Sequence, residues 1–198
     1  MLQARDARLN EKFPARKRSH FFDHSFIKQL LNVSGYYNFC NVEKTSDKVD
    51  VFNCSKLFFP INIDESHWTL CVIFMDKKCI IYYDSKAQGD SGKETKYCQS
   101  IRKWLFDYSN RLGRIVHTDI LQWTCSVGEC PQQIDGYNCG ICVVLNAELL
   151  CDDLQLIYNP AVANAMRIKY GTDLLRGHFN YADAPTCMSL LRLSLIHI

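Results

Sequence analysis

Two strand-like apolar runs, His67–Phe74 and Cys79–Tyr83, are separated only by Met75-Asp76-Lys77-Lys78. So short a link turns the chain back on itself, and the two runs form an antiparallel hairpin. If the turn centres near Met75 and Asp76, His67 at the start of the first strand lies opposite Asp84 at the end of the second. Directly opposed residues project to the same face of a sheet. An imidazole and a carboxylate then meet at the open end of the hairpin. A slip of one residue would send them to opposite faces, which makes the expectation a sharp one.

Helices and extended runs flank this hairpin. Phe21, Phe22, Phe26, Ile27, Leu30 and Leu31 recur at helical spacing and predict a short helix over 23–32. Residues 49–52 and 57–63 are apolar and bounded by turn residues, as strands are. A loop over 85–92 leads to a helix over 94–111 that carries Tyr97, Ile101, Leu105, Tyr108 and Leu112 on one face. A further strand is expected over 115–122. Residues 139–151 read as a buried helix, apolar nearly all round, and another helix covers 160–176. The fold class is α+β, an antiparallel central sheet with helices before and after it. No internal repeat or low-complexity tract interrupts it.

Composition narrows the function classes. At 198 residues, 47% of them hydrophobic, the chain can build one domain with a substantial core. Lys plus Arg, 23, nearly balance Asp plus Glu, 21, so no polyanion-binding surface is implied and no nucleic-acid partner is expected. Arg16-Lys17-Arg18 reads as a solvated face. Eleven cysteines, an odd number scattered through apolar runs, point to reduced core thiols and an intracellular setting, nuclear or cytoplasmic. The start, Met1-Leu2-Gln3-Ala4-Arg5-Asp6, is polar and reads as no signal peptide. No apolar run reaches the roughly 20 residues that span a bilayer, so no membrane partner is expected. The oligomeric state expected is a monomer.

The reactive chemistry concentrates in Cys130-Pro131-Gln132-Gln133-Ile134-Asp135-Gly136-Tyr137-Asn138-Cys139-Gly140. This polar, turn-forming segment delivers Cys139 to the start of an apolar helix. Unpaired N–H groups and partial positive charge at a helix N-terminus favour a thiolate there. Gln133, six residues upstream, is placed to donate to the same spot. A cysteine nucleophile needs a base, and the base needs an orienting group. His67 and Asp84 supply that pair. Each residue alone has a plainer reading: a surface histidine, a turn signal, a core thiol. Three reactive types coinciding with one geometry favour the catalytic reading.

Together these residues resemble the ubiquitin-like-protein proteases of the Ulp/SENP type, cysteine peptidases that process SUMO and its relatives. The family pattern is a Phe-Ile-Pro-Ile-Asn-like strand, His-Trp, Asp-Ser about seventeen residues later, and Gln-x-x-Gly-x-Asp-Cys-Gly. Here these read Phe58-Phe59-Pro60-Ile61-Asn62, His67-Trp68, Asp84-Ser85 and Gln133 to Gly140. The resemblance covers roughly 20–180 and implies a papain-like architecture and cleavage after a Gly-Gly terminus. It implies Cys139 as nucleophile, His67 as general base, Asp84 as the carboxylate orienting it and Gln133 as oxyanion donor. Trp68 resembles the tryptophan that roofs a tunnel only glycine can pass. The partner implied is SUMO or NEDD8, free or conjugated, with SUMO preferred. The chemistry requires no cofactor and no metal.

Two positions depart from the pattern. Asn138 stands where the family usually carries Asp, and the Trp-Leu-Asn-Asp-like segment that completes the tunnel has no match upstream of residue 20. On this reading 1–19 is a basic extension, 20–182 the catalytic domain, and 183–198 a tail without a clear role. Three alternatives stay open. Cys139-Gly140-Ile141-Cys142 is a C-x-x-C pair of the thioredoxin-like kind. Cys125, Cys130, Cys139 and Cys142 could form a zinc site, at a spacing unusual for one. An inactive module that binds a ubiquitin-like protein is the third.

Overall fold

The computed structural model describes residues 2–13, 18–32, 34–86, 92–114 and 119–176. At its centre β2 (Cys54–Ile63), β3 (His67–Phe74) and β4 (Cys79–Tyr83) run antiparallel. The strands β1 (Arg18–Phe21) and β5 (Thr124–Val127) add to either edge in parallel, in the order β1-β2-β3-β4-β5. Side chains alternate with the period of two that a pleated strand imposes. Leu57, Phe59, Cys71, Ile73, Ile80 and Tyr82 face one layer of the core, and Phe58, Leu70, Val72, Phe74 and Tyr83 face the other. Both faces are covered, which is why these strands read as continuous apolar runs.

The first face is closed by α2 (Ser25–Leu30) and α4 (Lys93–Arg111). Trp104 of α4 is fully buried and meets Phe22, Phe26 and Phe59 edge-on, with ring centroids 5.3, 5.2 and 5.6 Å away. Its indole N–H donates to Ser46 Oγ at 2.9 Å, at the end of the short helix α3 (Glu43–Ser46). The second face is covered by α5 (Cys139–Cys151), whose Val143, Ala147 and Leu150 pack on the sheet. Leu145 and Leu149 of the same helix meet Met166 and Tyr170 of α6 (Val162–Arg176). A helix held between a sheet and a second helix must be apolar nearly all round, as its sequence is. The N-terminal helix α1 (Leu2–Lys12) joins the fold through buried Asp6, whose Oδ2 accepts the Ser19 N–H at 3.1 Å.

Several expected elements change. The hairpin pairs Phe74 with Cys79 and Leu70 with Tyr83, two residues further along β4 than a turn centred on Met75 and Asp76 would give. All four residues 75–78 form the turn, and Lys78 takes a left-handed conformation, φ 53°, to close it. The helix read over 23–32 is limited to Ser25–Leu30. The strand expected over 49–52 is a 3-10 turn, Val51–Asn53, and the described part of the one expected over 115–122 is another, Ile120–Gln122. The strand lies just beyond, in β5. Gly128 follows it so close under Tyr83 that a Cβ there would lie 2.3 Å from the ring, so only glycine fits. Arg16, Lys17 and the tail 183–198 lie outside the described residues.

Trp104→Ala should cost about 3–5 kcal/mol, because it empties the aromatic cluster and removes the hydrogen bond that the buried Ser46 hydroxyl accepts. Urea unfolding checks this: the midpoint should fall with an unchanged slope, and a loss under about 1 kcal/mol would contradict the packing described.

Candidate active site

His67 opens β3 and Asp84 follows β4, so the strands deliver both side chains to one end of the sheet. His67 Nε2 lies 2.7 Å from Asp84 Oδ1, with the two side chains 21% and 16% exposed. The register is displaced by two from the expected one, and two is the side-chain period. His67 and Asp84 therefore keep a common face and meet as diagonal neighbours rather than as a directly opposed pair. Asp84 Oδ1 also accepts the Lys86 N–H at 2.8 Å, an Asx turn that fixes the carboxylate. An ionised carboxylate only accepts, so His67 Nε2 is the donor and Nδ1 is the nitrogen left to take a proton.

The loop before α5 docks on the residues that follow β4. Gln133 donates its backbone N–H to Ser85 O at 2.7 Å, and Gln132 Nε2 donates to Asp84 O at 3.0 Å. The Ser85 hydroxyl, buried, donates to Gln133 Oε1 at 2.9 Å. A hydroxyl can donate or accept, so the orientation of the Gln133 amide is decided by the Asp135 carbonyl, which can only accept. Nε2 then directs one N–H to Asp135 O at 2.6 Å, and its second N–H remains for another acceptor.

Cys139 is the first residue of α5 and is buried. The helix start is held from two sides. Gly140 lies under Trp68, close enough that a Cβ would sit 3.6 Å from Trp68 Cδ1. One turn along, Cys142 meets the hydroxyls of Ser85 and Tyr158. The neighbours of Cys139 thus touch the residue after His67 and the residue after Asp84. Asn138 precedes the helix but makes no side-chain cap to it. The N–H groups of a first turn have no partner within their helix. Here the N-cap side chain does not fill that role and is turned instead toward Asp135, Asn164 and Arg167.

Five site residues escape the sequence reading: His24, Ser85, Asp135, Asn164 and Arg167. The His24 ring meets Trp68 edge-on at 5.7 Å, so the segment just after β1 supplies the ring opposite the tryptophan. Ser85 and Asp135 lie inside the motif segments, but taken locally they carry turn signals and no role at the site. Asn164 and Arg167 share a face of α6, but nothing local says what that face meets. Among the described residues no three His, Cys, Asp or Glu side chains are grouped as metal ligands, Cys125, Cys130, Cys139 and Cys142 included. The described cysteines are free thiols. Also among them, no helix is long and apolar enough to cross a membrane.

This arrangement defines a papain-like thiol peptidase architecture, and the comparisons agree with it. The profile of the Ulp1 protease family, C-terminal catalytic domain, matches residues 3–174, and the chain belongs to that family of cysteine-type peptidases. Ubiquitin-like-specific protease 1 of Saccharomyces cerevisiae is 31% identical over 147 residues, which are 72% of this chain and 22% of that protein. Sentrin-specific protease 5 of Homo sapiens is 35% identical over 128 residues, 63% of this chain and 15% of that protein. The chain therefore spans less than a quarter of either relative. The crystal structure of the C-terminal Ulp1 protease domain in complex with Smt3, the yeast ortholog of SUMO, superposes with a TM-score of 0.68 at 26% identity. The match covers 84% of this chain and 70% of that one.

Burial pushes the Cys142 thiol up, and pushes that of Cys130 up to about 11. Both remain protonated near neutral pH. Brief alkylation with iodoacetamide should therefore modify Cys139, along with exposed Cys40, before Cys130 or Cys142. Peptide mass spectrometry reads this directly. Modification of Cys142 first would contradict the reading of Cys139 as the reactive thiol at the helix start.

Proposed function

We propose that this chain is a thiol protease that cleaves after the C-terminal Gly-Gly of a ubiquitin-like modifier, preferentially SUMO. Its substrates would be isopeptide conjugates, precursors or both, in the nucleus or cytoplasm. The catalytic domain, read as 20–182 from the sequence, would also include α1, which joins the fold through Asp6. The observation that supports the reading is the His67–Asp84 hydrogen bond, with Trp68 next to His67 lying over Gly140 next to Cys139.

The proposed reaction runs in two halves. His67 Nδ1 takes the Cys139 proton as the sulfur attacks the glycine carbonyl, and Asp84 stabilises the imidazolium that forms. The resulting oxyanion is met by the free Gln133 Nε2–H and the Cys139 backbone N–H. The tetrahedral intermediate collapses to a thioester as the C–N bond breaks, and His67 returns its proton to the leaving amine. In the second half His67 deprotonates water, which attacks the thioester. The modifier leaves with a free carboxylate and Cys139 regains its proton. Trp68, braced edge-on by the His24 ring, would roof the channel through which the two glycines pass.

A SUMO probe ending in a thiol-reactive warhead tests the assignment. Wild type should gain the mass of one probe, Cys139→Ser should gain none, and labelling of that variant would refute the nucleophile. His67→Ala should lower turnover by roughly 10²–10⁴-fold, and Gln133→Ala by roughly 10²–10³-fold. A Gln133→Ala rate equal to wild type would remove Gln133 from the site.

A further inference from the structure

The turn that delivers Cys139 is built around an acid–amide pair with no assigned role. Asp135 Oδ1 accepts the backbone N–H groups of Tyr137 at 3.0 Å and Asn138 at 2.9 Å. Its Oδ2 accepts from Asn138 Nδ2 at 2.7 Å. Asn138 is fully buried, and the same Nδ2 donates to Asn164 Oδ1 at 2.7 Å. Arg167 Nε donates to Asn138 Oδ1 at 3.0 Å, and its Nη2 donates to Tyr137 O at 2.6 Å. Every polar atom of the Asn138 side chain is thus held, on one side by its own turn and on the other by α6. The backbone carbonyl of Asp135 is also the acceptor for Gln133 Nε2. One residue therefore connects the loop's side-chain network to the orientation of the oxyanion donor.

We infer that Asp135, Asn138 and Arg167 form a positioning unit that sets Gln133 relative to Cys139, with Asp135 supplying the negative charge beside the nucleophile turn. This inference rests on the thiol protease reading. It accounts for the departure at position 138. A hydrogen-bonded pair facing Arg167 requires one carboxylate and one amide, and here the carboxylate is at 135. The amide at 138 supplies the N–H that a second acid could not. Burial pushes the Asp135 carboxyl up, but the N–H groups of Tyr137 and Asn138 and the nearby guanidinium outweigh it and hold it below its usual value.

The arrangement makes a specific demand on substitution. Asp135→Asn sets an amide N–H against the Asn138 N–H, donor against donor. Asn138→Asp sets two carboxylates together with Arg167 alone to neutralise them. Making both changes restores one acid facing one amide. The amide oxygen then at position 135 would still accept both backbone N–H groups. The carboxylate then at position 138 would accept from Arg167 Nε, and Asn164 would reverse its amide to donate to it.

The test is a double-mutant cycle on the full chain, D135N, N138D and D135N/N138D. Each single variant should lose roughly tenfold or more in kcat toward a SUMO fusion substrate, with KM little changed. The double variant should return to within about threefold of wild type. Amide hydrogen exchange at the backbone of residues 137 and 138 gives a second readout that needs no turnover: fast in both single variants, slow in wild type and the double variant. A double variant as impaired as the sum of the singles in both readouts would overturn the inference. So would singles that match wild type, or singles whose loss falls on KM alone. Should wild type itself fail to cleave any modifier, the protease reading fails, and exchange alone decides whether the pair orders the turn.

Discussion

Everything at the site depends on how β3 and β4 pair, because the hairpin alone places His67 against Asp84. The two residues sit 17 positions apart in the chain, yet their atoms come within 2.7 Å. A sheet tolerates register shifts of two residues without moving side chains between faces, whereas a shift of one would separate this pair completely. The strands carrying it are apolar on both sides, so each face is anchored by its own layer of core and neither can rotate out. The pair stands where the ladder between β3 and β4 ends.

The second component is a buried helix with a polar start. The body of α5 has almost no solvent face, since the sheet takes one side and α6 another. Its position is therefore fixed by close packing, and the first turn inherits that rigidity. The approach to the helix is fixed differently, by hydrogen bonds from Ser85 and α6 to the loop 132–138. Rigid packing thus positions the first residue of α5, while the hydrogen-bonded loop orients the Gln133 amide.

Local patterns revealed much of this and missed what depends on distant contacts. The hairpin, α4, α5 and α6 were legible because their periodicities are strong and their faces are buried. The His67–Asp84 pairing was legible for its parity although the turn was centred one residue too early. β5 was not legible: three of its four residues are exposed, so an edge strand shows no alternation to read. Residues 49–52 misled because an apolar pair can pack from a 3-10 turn as well as from a strand. His24, Asn164 and Arg167 gave no signal at all. Each acts through contacts with segments far away in the chain, which spacing does not encode.

The claim that imidazole, carboxylate and sulfur work as one unit can be measured on the resting protein. Nitrogen NMR of the His67 ring should show a proton fixed on Nε2 toward Asp84. Nδ1 should shift its resonance and its titration when Cys139 is replaced by Ala. A His67 ring that carries its neutral-state proton on Nδ1, or that titrates identically with and without the thiol, would contradict the account.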